Sequence, residues 1–94
     1  MTDLKTIKKN LQKTIKAMRK DGEEFPKAMM TGQQMEKRTA TVNCGGEWRP
    51  KESRKRAENV LAADLFKAFL AEAGATARLE HVERFDAWQI RITY

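Results

Sequence analysis

Between Pro50 and Tyr94 the spacing of apolar residues changes once, from helical to alternating. This change confines the chain to folds in which a helix covers a sheet. Over Pro50–Ala73, the residues Leu61, Ala62, Leu65, Phe66, Ala68, Phe69 and Ala73 fall on one broad face, with Val60, Ala63 and Ala71 toward the other side. The pattern predicts one long core helix, stopped by Gly74 as a left-handed cap. Ala75, Ala77, Leu79 and His81 then alternate with Thr76, Arg78 and Glu80. Trp88, Ile90, Ile92 and Tyr94 alternate with Ala87, Gln89, Arg91 and Thr93. A period of two predicts two strands, and a turn near Glu83–Asp86 makes them an antiparallel hairpin.

A third strand precedes the helix. Ala40, Val42 and Cys44 point to one side of Thr39–Cys44, with Thr39, Thr41 and Asn43 to the other, and Gly45-Gly46 breaks it. A strand–helix–strand unit calls for a right-handed crossover and parallel pairing. The expected fold is therefore α+β: a β-α-β-β core over residues 39–94, with a three-stranded mixed sheet and the core helix on one face. A chain of 94 residues makes a single domain.

The N-terminal segment, residues 1–22, reads as an amphipathic basic helix. Leu4, Ile7, Leu11, Ile15 and Met18 recur at steps of three or four. At about 100° per residue they form a narrow stripe of roughly 80°. Thr2 or Asp3 can cap the start, and Gly22 can stop the end. This helix packs on the core or extends away from it. Glu23–Lys37 carries a weaker pattern and predicts a short helix with Pro26 in its first turn and Gly32 ending or kinking it. Met29, Met30 and Met35 would close one end of the core or offer a soft contact surface.

Charge is divided unevenly. Residues 1–56 hold 15 basic groups against 7 acidic, a net of +8, and the remainder holds 4 against 6, a net of −2. The overall +6 is thus carried by the N-terminal part, which favours encounters with a polyanion or an acidic surface. Several classes are excluded. No stretch approaches the ~18 apolar residues of a membrane span, and the basic N-terminus has no apolar block of the secretory kind. One cysteine, Cys44, cannot build a disulfide framework and points to a reducing, cytoplasmic setting. With His81 as the sole histidine, no Cys/His metal site can form within one chain, and nothing calls for a cofactor. No carboxylate pair or nucleophile–base pair is spaced for catalysis, so a non-catalytic protein is expected.

Two stretches could meet an anion. On the first helix Lys5, Lys8, Lys9, Lys13, Lys16, Arg19 and Lys20 share one flank beside the apolar stripe, with no acid among them. Lysines so placed suit phosphates, since each releases condensed counterions. The ordinary alternative is a solvated face. The second stretch runs from Gly45-Gly46 through Trp48, Arg49, Lys51, Arg54, Lys55 and Arg56. Glycines before a helix start can turn amides toward an anion, and cations crowding that start oppose the helix dipole unless a phosphate relieves them. Trp48 could stack on a base. The ordinary alternative is a β-α loop with Trp48 folded over the core edge.

The expected function is a basic domain engaging DNA or RNA mainly through phosphates, with both stretches forming one positive surface and no membrane contact. The alternative is a small protein-binding regulator or inhibitor, of phage or mobile-element type, acting on a host nucleic-acid-processing machine. It would present the same basic face to an acidic protein surface. Leu4, Ile7, Leu11, Ile15, Met18, Met29 and Met30 would then anchor the partner, or the stripe would pair two copies as a homodimer.

Overall fold

The computed structural model describes residues 3–20, 22, 26–29 and 32–94. The elements run α1 (Leu4–Lys20), β1 (Lys27–Met29), α2 (Gly32–Glu36), β2 (Thr39–Asn43), α3 (Pro50–Ala62), α4 (Asp64–Ala73), β3 (Thr76–Val82) and β4 (Ala87–Thr93), with a 3₁₀ turn at Glu83–Phe85. The class is α+β as expected. The sheet, however, has four strands in the order β1-β2-β4-β3, and every pairing is antiparallel.

Three details of the expected architecture are corrected. First, β2 and β3 run in the same direction but are not neighbours, because β4 inserts between them and pairs with both. The strand with the strongest apolar alternation takes the central place, where Ile90 and Ile92 are fully buried. Second, the segment expected as a short helix yields the edge strand β1 before α2. Lys27 pairs with Asn43, Ala28 with Val42 and Met29 with Thr41. An open edge on β2 offers these residues backbone partners, which outweigh local helix propensity. Met30 lies outside the described residues. Third, the long core helix is two helices. Ala63 leaves helical geometry (φ −67°, ψ 134°), its amide bonding back to the Val60 carbonyl while its own carbonyl accepts from Lys67. The break redirects the chain, so α3 packs on β4 and β3 while α4 packs on α1.

α1 lies on the core and does not extend from it. Asp3 starts it: its carboxylate accepts from the Lys5 amide (3.4 Å) and its carbonyl from the Ile7 amide (3.0 Å). Ile7, Leu11, Ile15 and Met18 are all at most 4% exposed, and Leu4 is half-buried. They join Phe66 and Phe69 of α4, Ala57 and Val60 of α3, and Ala40, Val42, Cys44, Ile90 and Ile92 of the sheet in one core. Among the described residues, no helix is long and apolar enough to cross a membrane.

The other sheet face is polar. Residues paired across strands share a face, so the register sets out two rows there. One runs Lys27, Asn43, Gln89, Glu80, and the other Met29, Thr41, Arg91, Arg78.

Candidate nucleic-acid interface

Burying the apolar stripe fixes the rotation of α1 and therefore the direction of its cations. Thr6 and Asn10, on the non-basic flank, meet Phe69, Glu72 and Ala73 of α4. The basic flank thus turns the other way, toward the β1 edge. There α1 and β1 border an open groove of about 270 Å³, lined by Gln12, Ile15, Lys16 and Arg19 from α1 and by Lys27 and Ala28 from β1. Arg19 is held in place by its Nε, which donates to the Pro26 carbonyl (2.9 Å). Lys5, Lys9, Lys13, Lys16, Arg19 and Lys20 are exposed, and Lys8 is partly so. Among the described residues, none of these seven forms an ion pair.

Lys27 is an addition that the helical pattern of α1 could not supply. Its place beside Lys16 and Arg19 depends on β1 being a strand, and no local signal marks it as one.

The second basic stretch behaves differently. Arg49 pairs with Glu52 (3.6 Å), Arg56 also reaches Glu52, and Arg54 pairs with Glu58 (3.1 Å) while its guanidinium lies 4.8 Å from the Trp88 ring centroid. Glutamates three and four positions away on the same helix neutralise the arginines, so no phosphate is needed to relieve the helix start. Lys51 and Lys55 remain exposed. The expected single positive surface is also divided, because α1 covers the β1 side of the sheet and α3 covers β4 and β3.

The glycine pair serves packing. A Cβ on Gly46 would stand 2.8 Å from the Ser53 Cβ, and Gly46 has φ +79°. Ser53, fully buried, accepts from the Trp88 amide (2.6 Å) and donates to the Trp88 carbonyl (3.1 Å). The Gly45 amide donates to Asn43 Oδ1 (2.8 Å), that of Trp48 to the Phe85 carbonyl (2.8 Å) and that of Arg49 to the Gly46 carbonyl (2.9 Å). These three amides are therefore not presented to an anion.

Trp48 does not fold over the core edge. It is 68% exposed and has φ +64°, in the left-handed region. Near it, at one end of the polar sheet face, lies a cleft of about 250 Å³ that includes Met29, Asn43, Glu47, Val82, Phe85 and Gln89 in its lining. Phe85 was not singled out in the sequence, where it falls in the turn of the hairpin.

The stripe considered as a partner anchor or homodimer seam is spent on the protein's own core. Using it would require α1 to detach. Of the methionines offered with it, Met29 is exposed at the cleft.

Among the described residues, Cys44 and His81 do not converge on one site. Cys44, just past the end of β2, is fully buried, and β4, carrying Trp88, stands between β2 and the strand that holds His81. His81 Nε2 lies 3.0 Å from Asp86 Oδ1, and its ring meets that of Trp88 at a tilt of 53°, with centroids 5.1 Å apart. Among the described residues, no three metal-binding side chains cluster. On the polar face Glu80 accepts from Arg91 (2.7 and 3.2 Å) and from Gln89 (2.6 Å). The Arg91 bonds hold its carboxyl below the usual range, against the opposing effect of burial.

Comparison with known protein families finds no match for this chain, and comparisons with curated proteins and with solved structures find none either.

Proposed function

We propose that this protein is a non-catalytic nucleic-acid-binding domain that engages phosphates through the basic flank of α1 and Lys27. One observation carries the reading. Seven cations of α1 share an outward flank, and among the described residues no carboxylate pairs with them. Lysines four apart, such as Lys5 and Lys9 or Lys9 and Lys13, repel by about 0.2–0.5 kcal/mol per pair in an isolated helix. A phosphate backbone converts that repulsion into attraction and gains entropy from released counterions. The lysines are point charges on mobile stems, so the binding is expected to depend little on sequence.

The test is nucleic-acid retention at low and moderate salt. Binding should weaken steeply as salt rises. Replacing Lys9, Lys13, Lys16 and Lys20 together with Glu should abolish it and leave the circular dichroism spectrum unchanged, since all four are exposed. Failure to retain DNA or RNA at about 50 mM salt, where such contacts are strongest, would refute the reading. So would a charge-reversed protein that binds as well as the parent.

A further inference from the structure

We propose, resting on the reading above, that the nucleic acid is single-stranded and that one unstacked base enters the cleft walled by Met29, Val82 and Phe85, with the Trp48 indole as a further stacking surface beside it. Three large apolar side chains stand in water at this end of the molecule: Trp48 at 68%, Met29 at 44% and Phe85 at 43% exposure. Their gathering within one region marks a contact site, whereas scattered exposed apolar residues would not. The cleft, at about 250 Å³, is smaller than the usual pocket for a drug-sized ligand and suits a single flat heterocycle. Its lining joins apolar side chains to Asn43, Glu47 and Gln89, which can meet the edge of a base.

Charge complementarity selects the occupant. Asn43 lines the cleft and pairs in register with Lys27, which lines the α1 groove. Lys27 thus links the two sites: a strand laid along α1 meets it at the β1 edge and, passing over that edge, reaches the cleft on the opposite sheet face. Arg84 adds a cation 5.4 Å from the Phe85 ring centroid. The Trp48 amide is tied to the Phe85 carbonyl, which keeps the two aromatic residues near each other. Of the acids nearby, Glu80 is already engaged by Arg91 and Gln89, and Glu47 is left to accept from a base N–H, such as the imino N3–H of thymine or uracil. A duplex keeps its bases paired and stacked, so it could use the cations but not the cleft.

Fluorescence anisotropy distinguishes this from phosphate binding alone. The probes are labelled oligothymidylate and oligouridylate of roughly 12 nucleotides, within the span such grooves cover, an oligothymidylate of equal length carrying abasic sites, and a duplex of equal length. The single strands should bind about tenfold more tightly than the duplex, and either the abasic sites or Trp48→Ala should remove roughly that factor, as expected for one stacked base. Phe85→Leu, which keeps the cleft apolar without an aromatic face, should weaken single strands and spare the duplex. Preference between the thymidylate and uridylate probes assigns DNA or RNA. Equal, salt-sensitive binding of single-stranded, abasic and duplex probes would overturn the base site and leave the phosphate reading standing. No binding of any probe at low salt would overturn both.

Discussion

Trp48 pays twice for its position, in water and in backbone geometry. A non-glycine residue in the left-handed region is disfavoured by roughly 1–2 kcal/mol, and at 68% exposure the indole recovers little of that through packing. Trp48→Gly removes the steric conflict but adds freedom to the unfolded chain worth roughly 0.5–1 kcal/mol. The net expectation is equal or slightly higher thermal stability, read by calorimetry, together with weaker single-strand binding. Gly46 is the opposite case. A methyl group there would press on Ser53 at 2.8 Å with φ at +79°, so Gly46→Ala should destabilise the fold by about 2–3 kcal/mol in urea titration. Trp48 and Gly46 share a loop and a sign of φ, yet relief is expected from one substitution and damage from the other. The difference lies in what surrounds each Cβ.

At the scale of the element, α1 is held by its apolar stripe and made functional by the flank beside it. Leu11 is fully buried against the core, and Leu11→Ala should cost about 2–5 kcal/mol, observable as a lower urea midpoint. The β3–β4 pair carries a pH dependence. Glu80 titrates below the ordinary glutamate range in the folded protein because Arg91 bonds to its ionised form. A depressed acid contributes stability that is fully present above the unfolded value, near 4.3, and is lost as pH falls through the lower folded value. Acid titration of stability should therefore be shallower in Glu80→Gln than in the parent below about pH 4.3.

As a whole the molecule is a slab with extents of 38 × 29 × 17 Å, the long helices on one sheet face and polar rows on the other. Its basic groups are therefore not equivalent. Those of α1 form no ion pair among the described residues, while Arg49, Arg54 and Arg56 are engaged by Glu52 and Glu58. Substituting one α1 lysine with Ala should weaken binding across all sequences and lower the slope of log affinity against log salt by about 1. Arg56→Ala, by contrast, should leave that slope nearly unchanged. Net charge alone would rank these positions together.

From the sequence alone came α1 with its capped start and basic flank, the glycine stop after Ala73, the closing hairpin and the inward side of the three strands expected from alternation. All of these follow from period and turn chemistry over a few neighbouring residues, which burial of one face enforces wherever the element ends up. The tertiary structure decided the rest. It drew Lys27–Met29 into an edge strand, seated β4 between β2 and β3, broke the core helix at Ala63 and brought Lys27 to α1. Each of these outcomes depends on a partner distant in sequence: an open strand edge, a second pairing surface or an opposing helix. The pairing of Arg49, Arg54 and Arg56 was spelled out at three- and four-residue spacing in the sequence. The exposure of Trp48 was not, because it depends on Gly46 packing against Ser53 and on an amide bound to Phe85, far along the chain.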